Sequence, residues 1–91
     1  MSLERFPGGD LVEDGLRDLA AGRESVASLL VSIGAPRLRR LVPFPSEPYS
    51  DPELRLYRLL SRDDPDSAHS RYNAFVRRLV SFERAAECAA K

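Results

Sequence analysis

Apolar residues recur along this chain in steps of three and four, the spacing that lines one face of a helix. Leu11, Val12, Leu16, Leu19 and Ala20 form the first such run. Asp10 precedes it as an N-cap, with Glu13 three residues on, an aspartate version of the capping box. Gly22 supplies a C′ stop. A second run, Val26, Leu29, Leu30 and Ile33, opens near Glu24 and ends at Gly34. The same stretch admits a continuous reading. Val12, Leu16, Leu19, Arg23, Val26, Leu30 and Ile33 form a heptad seam interrupted only by Arg23. A mid-helix Gly costs only about 1 kcal/mol against Ala, so both one helix and two remain open over residues 10–33.

Pro36 suits the first turn of a short helix from Arg37 to Leu41, which Pro43 stops. Pro43, Pro45 and Pro48 then hold a connecting loop. Ser50-Asp51-Pro52-Glu53 reads as a helix start, with Ser50 as N-cap and Pro52 in the first turn. That helix carries Leu54, Leu56, Tyr57, Leu59 and Leu60 and breaks at 62–66. The last helix is predicted from about Pro65, with Asp64 as N-cap. Its stripe is Ala68, Tyr72, Phe75, Leu79, Phe82, Ala86 and Ala89. No stretch longer than four residues alternates with period two, and no hairpin signal separates two β-rich runs. The expected fold is all-α: a compact bundle of three to five helices with a long C-terminal helix and no sheet. Residues 10–91 make one helical domain, and the Pro/Gly-punctuated residues 1–9 an extended N-terminal arm.

Composition narrows the function classes. The 91 residues are 43% hydrophobic and 31% charged, a globular balance. Fourteen basic and fourteen acidic side chains cancel, which argues against a wholesale polyanion binder. Thirteen of the fourteen bases are Arg. The cancellation is uneven: residues 1–36 carry −3 and residues 37–91 carry +3. No apolar run exceeds three residues, as in Leu29-Leu30-Val31, against the roughly 18 of a membrane span. With no signal-peptide pattern either, a cytoplasmic protein with no membrane contact is expected. Cys88 and His69 are each the only residue of their type, so neither a disulfide nor a metal centre is expected. Glycine-rich phosphate loops are missing, and no cofactor is expected.

His69 is the one side chain suited to proton transfer near neutrality. It falls at the edge of the last helix's apolar stripe, with Asn73 four residues on and Arg77 beyond. Its bland role is packing plus a hydrogen bond to a neighbour. The segment Arg62-Asp63-Asp64-Pro65-Asp66-Ser67-Ala68-His69 resembles the Arg-polar-x(n)-His signature of HEPN domains, small all-α proteins that include dimeric metal-independent RNases of toxin–antitoxin pairs. The resemblance implies that Arg62 stabilises developing phosphate charge while His69 acts as acid and base, with Asp63 at the polar position. It covers eight of the 91 residues.

Arg37, Arg39 and Arg40 form a basic cluster. The helix they occupy is too short to lie in a DNA groove, and a solvated turn with Arg–carboxylate pairs is its plain reading. Arg71, Arg77, Arg78 and Arg84 spread around the last helix as ordinary polar surface. Cys88 falls opposite the apolar stripe. Glu83 and Glu87 stand one turn apart with no comparable acidic partners and no Glu-x-x-His motif. The chain therefore reads as an α-helical interaction domain with no catalytic activity. It is expected to form a homodimer, or to bind a helical protein partner, through its last or first long helix. The alternatives are a HEPN-like RNA-acting enzyme or toxin–antitoxin component using Arg62 and His69, and a nucleic-acid-associated regulator using Arg37, Arg39 and Arg40.

Overall fold

Two glycines and a buried leucine decide where the first helix starts and stops. In the computed structural model, which describes residues 3–90, α1 spans Gly9–Ala20. Its N-cap is Gly8, in the left-handed region at φ 74°, and no side chain caps it. The expected Asp10–Glu13 capping box does not form. The Glu13 carboxylate instead accepts a hydrogen bond from the Leu3 backbone N–H. Leu3 is buried, Phe6 is half-buried, and turns replace the extended arm over residues 4–8. Met1 and Ser2 of that arm, and Lys91, lie outside the described residues.

The chain leaves α1 through Gly22 at φ 70°, where an L side chain is disfavoured. Of the two readings for residues 10–33, the broken one is realised. The second helix, α2 (Val26–Ile33), starts at Ser25, whose hydroxyl accepts from the Ser28 N–H while the Ser28 hydroxyl accepts from the Ser25 N–H. Asp18 holds both sides of the break, accepting from Ser25 Oγ at 2.7 Å and pairing with Arg23. Six consecutive residues of α2, Ala27 to Ser32, are buried. It is the central helix, flanked by α1 on one side and α4 on the other.

The short helix α3 (Ala35–Leu38) starts two residues before the predicted position, with Pro36 in its first turn. The proline-rich loop is pinned at its middle and its end. Ser46 donates to the Leu19 carbonyl, and the Tyr49 N–H donates to Ser32 Oγ. Helix α4 (Pro52–Asp63) is preceded by Asp51, not Ser50, at the N-cap position; Asp51 sits at φ 48° without a side-chain cap. Asp64 ends α4 and does not start the last helix. Its carboxylate accepts from the Asp66 N–H and from Ser67 Oγ, which closes the acidic stretch into a local turn.

The long helix α5 (Ala68–Ala89) completes an all-α fold of five helices with no strand among the described residues. Ala68, Leu79 and Phe82 of its predicted stripe are buried, and Tyr72, Phe75 and Ala86 are partly so. Ala89 is exposed. The helix packs on α4, with Tyr72 against Tyr57. Further along, Phe82 meets the Phe6 ring edge-on at 5.8 Å. Arg78 pairs with Asp10 across to α1. No helix among the described residues is long and apolar enough to cross a membrane.

Candidate functional site

Helix α4 presents three distinct strips around its axis. Leu56 and Leu60 are buried in the core. At about 100° per residue, Leu54, Tyr57 and Ser61 share a strip on the solvent side, and Arg55, Arg58 and Arg62 share the next one. Leu54 and Tyr57 are 51% and 40% exposed, the two large hydrophobic side chains left uncovered among the described residues. This corrects the expected location of an uncovered apolar face. The buried faces of α1 and α5 are covered within the chain, and the surplus sits on α4.

The Tyr57 edge of the strip adjoins α5. The Tyr57 ring lies 6.5 Å from His69 and 5.9 Å from Tyr72, tilted against both. His69 is exposed, and its Nε2 lies 3.3 Å from the Asn73 side-chain nitrogen. Tyr72 is partly buried, and its phenol is pushed above the usual tyrosine range by desolvation and then by the Glu53 charge. Asn73, placed by the sequence on nearly the same side of the helix, thus contacts His69. Tyr57, with Tyr72 behind it, adds an aromatic neighbour that the spacing did not bring to notice. What the arrangement offers is an aromatic surface with a positioned imidazole.

Arg62 is elsewhere. It lines a groove with Glu24, Arg55, Arg58 and Ser61, about 140° around α4 from Tyr57. No hydrogen bond or ion pair links Arg62 to His69 among the described residues. Asp63, the polar position of the signature, is bonded to Arg71 at 2.7 Å.

The cluster Arg37, Arg39 and Arg40 is partly neutralised. Arg39 faces Glu47 at 3.6 Å, and the Arg37 guanidinium reaches α5, where it bonds both Glu83 and Glu87. Glu83 and Glu87, read from the sequence as lacking comparable acidic partners for a metal site, hold α3 against α5. They supply carboxylates of the Arg–carboxylate pairs expected for this cluster. The Glu87 hydrogen bond, above the cost of burial, keeps the Arg37 pKa raised. A signal was available: Glu83 stands four residues after Leu79 and seven after Val76, inside the apolar stripe, where an uncompensated charge is costly. Among the described residues, no three His, Cys, Asp or Glu side chains gather where they could hold a metal ion. Cys88 is exposed.

Burial raises the Glu83 pKa above the ordinary carboxylate value, against the pull of Arg37. The folded chain therefore holds this proton to higher pH than the unfolded chain does. Glu83's contribution to stability is greatest below the ordinary carboxylate pKa and falls as pH rises through the raised value. Glu83→Gln, which mimics the protonated acid, is expected to gain stability relative to wild type as pH rises from 4 to 7 (about the carboxylate range and above it). Thermal melts of both proteins at each pH test this. A difference in Tm that stays constant across the range rejects the assignment.

No family model, curated protein or solved structure matches the chain.

Proposed function

We propose that this protein is a small α-helical interaction domain that pairs with a second copy of itself through the exposed strip of α4 and catalyses no reaction. The observation that carries the reading is the placement of Leu54 and Tyr57, one turn apart on the solvent side of a helix whose other leucines are covered. An apolar strip is self-complementary, which a two-fold interface requires. The zero formal net charge removes the overall repulsion between like molecules that a strongly charged chain would have to overcome. Tyr57 adds a rigid aromatic anchor, the type of side chain enriched where interfaces derive their energy.

Sedimentation velocity over roughly 5–500 µM is expected to show a concentration-dependent dimer. The double variant Leu54→Asp, Tyr57→Asp is expected to stay monomeric over the same range, with an unchanged far-UV spectrum. A wild type that is monomeric throughout, or a folded variant that still dimerises, overturns the proposal.

The RNA-acting alternative draws support from the solvent exposure of His69 and Arg62 and from the Asn73 contact that orients the imidazole. Within one chain, Arg62 of α4 lies about 140° around the helix from Tyr57, the residue beside which His69 of α5 sits. This alternative has no hydrogen bond or ion pair between its two residues among the described ones. Cleavage of RNA by the wild type that is lost in His69→Ala favours this alternative over a non-catalytic domain.

A further inference from the structure

We infer that the groove lined by Arg55, Arg58 and Arg62 is an anion site that takes the phosphate dianion of a small phosphomonoester. Three features support it. The three guanidiniums stand at i, i+3 and i+7 of α4, which places them on one strip within about 60° of each other. They wall a groove of about 610 Å³ whose other lining residues are Ser61 and Glu24. Only one of the three charges is answered: Arg55 pairs with Glu24 at 2.7 Å. Arg58 and Arg62 have no carboxylate partner among the described residues, although seven other arginines of the chain, from Arg17 to Arg78, do not go without. The groove therefore carries a net charge of +2, and two like charges one helical turn apart repel each other until an anion lies between them.

The chemistry of the lining selects the ligand. Arg58 and Arg62 are separated by about 6 Å along the axis, so their forked donors can converge on one tetrahedral oxyanion. The Ser61 hydroxyl on the same helix offers a further donor. A carboxylate satisfies one guanidinium; a phosphate dianion has the oxygens and the charge for both. The groove volume lies within the 300–1,000 Å³ range (roughly) of small-molecule sites, well beyond the size of inorganic phosphate. The Glu24 carboxylate at its rim is an acceptor for hydroxyl groups on the organic part. This site lies on the flank of α4 toward α2 and uses neither Leu54 nor Tyr57, so it does not depend on self-association.

Amide NMR titrations with inorganic phosphate, ribose phosphate and ribose test the inference. Both phosphates are expected to give saturable shifts confined to α4 and the residues around Glu24, and ribose none. Tighter binding of ribose phosphate supports a phosphorylated small molecule as the ligand, and equal binding overturns that assignment in favour of free phosphate. Arg58→Gln, Arg62→Gln is expected to weaken binding at least about tenfold, as loss of two charge-assisted contacts requires. The double Lys variant, which keeps the charge and loses the fork, is expected to fall between. Binding should also weaken below about pH 6, where the dianion takes up a proton. Absence of saturable shifts at about 10 mM, where even millimolar affinity would register, overturns the site. So does a folded Gln variant that binds as the wild type does.

Discussion

Gly15→Val is expected to destabilise the protein by about 3 kcal/mol or more, the upper end of overpacking costs. A Cβ at Gly15 would stand 2.3 Å from the Ala27 carbonyl oxygen and 2.6 Å from a methyl of Val31. The first of these is backbone of the central helix and cannot rotate away, so α1 and α2 must separate. That crossing is the most extensive helix–helix contact of the fold. At roughly 4–8 °C per kcal/mol for a domain of this size, Tm should fall by at least about 12 °C. Gly22→Ala is the control. Nothing lies within 4 Å of a Cβ there, and its left-handed backbone costs only about 1–2 kcal/mol for an L residue. Equal melting losses in the two variants would show that the α1–α2 crossing is not limiting.

Phe82→Ala is the second large effect, expected at about 3–5 kcal/mol. Phe82 is fully buried and lies where α5, the turns over residues 3–8 and the end of α3 converge. Its ring supports the edge of Phe6, and its Cβ lies 3.6 Å from the position a Cβ at Gly8 would take. Against a total stability of about 5–15 kcal/mol for a domain of this size, this is a large fraction. Denaturant melts give the magnitude. Hydrogen exchange gives the location: amides of Phe6 and Gly9, which bond to Leu3 and Phe6 carbonyls, should lose protection before those of α2. A variant within about 1 kcal/mol of wild type, well below the typical Phe→Ala core loss, refutes the role assigned to this ring.

The long C-terminal helix was legible because Tyr72, Phe75, Leu79 and Phe82 hold helical spacing with no Gly or Pro between them. Gly22 was legible only as one of two readings, because a mid-helix Gly costs little; its left-handed backbone in the fold realises the stop. Caps were read less well. Asp10, Ser50 and Asp64 are all favourable cap residues, yet Gly8, Asp51 and Ser67 occupy the positions. Where a helix starts depends on how the preceding chain arrives, and at α1 that path is set by burial of Leu3 against the body of the fold.

The candidate site followed the same division. His69 and Asn73 share one helix, so their contact was predictable from four-residue spacing. Tyr57 comes to them from another helix, and Arg62 points to another flank. The sequence did not say which α4 leucines reach the core: Leu54, Leu56, Leu59 and Leu60 spread over more of the helix circumference than its neighbours cover, and Leu54 is left outside.

By itself, the sequence determined what short-range physics governs: helices and no strands, and the apolar stripe of α5. It offered Gly22 as a stop but left a continuous helix equally open, and the structure chose the break. Only the tertiary structure decided what depends on residues far apart in the chain. It placed α2 at the centre, and so left Leu54 and Tyr57 in solvent. It brought Arg37 to Glu83 across 46 positions, turning an acid inside an apolar stripe into half of an ion pair. The physical reason is one of range. Backbone preference and helical periodicity act within a few residues, whereas burial and charge pairing are properties of neighbours that the folded chain alone brings together.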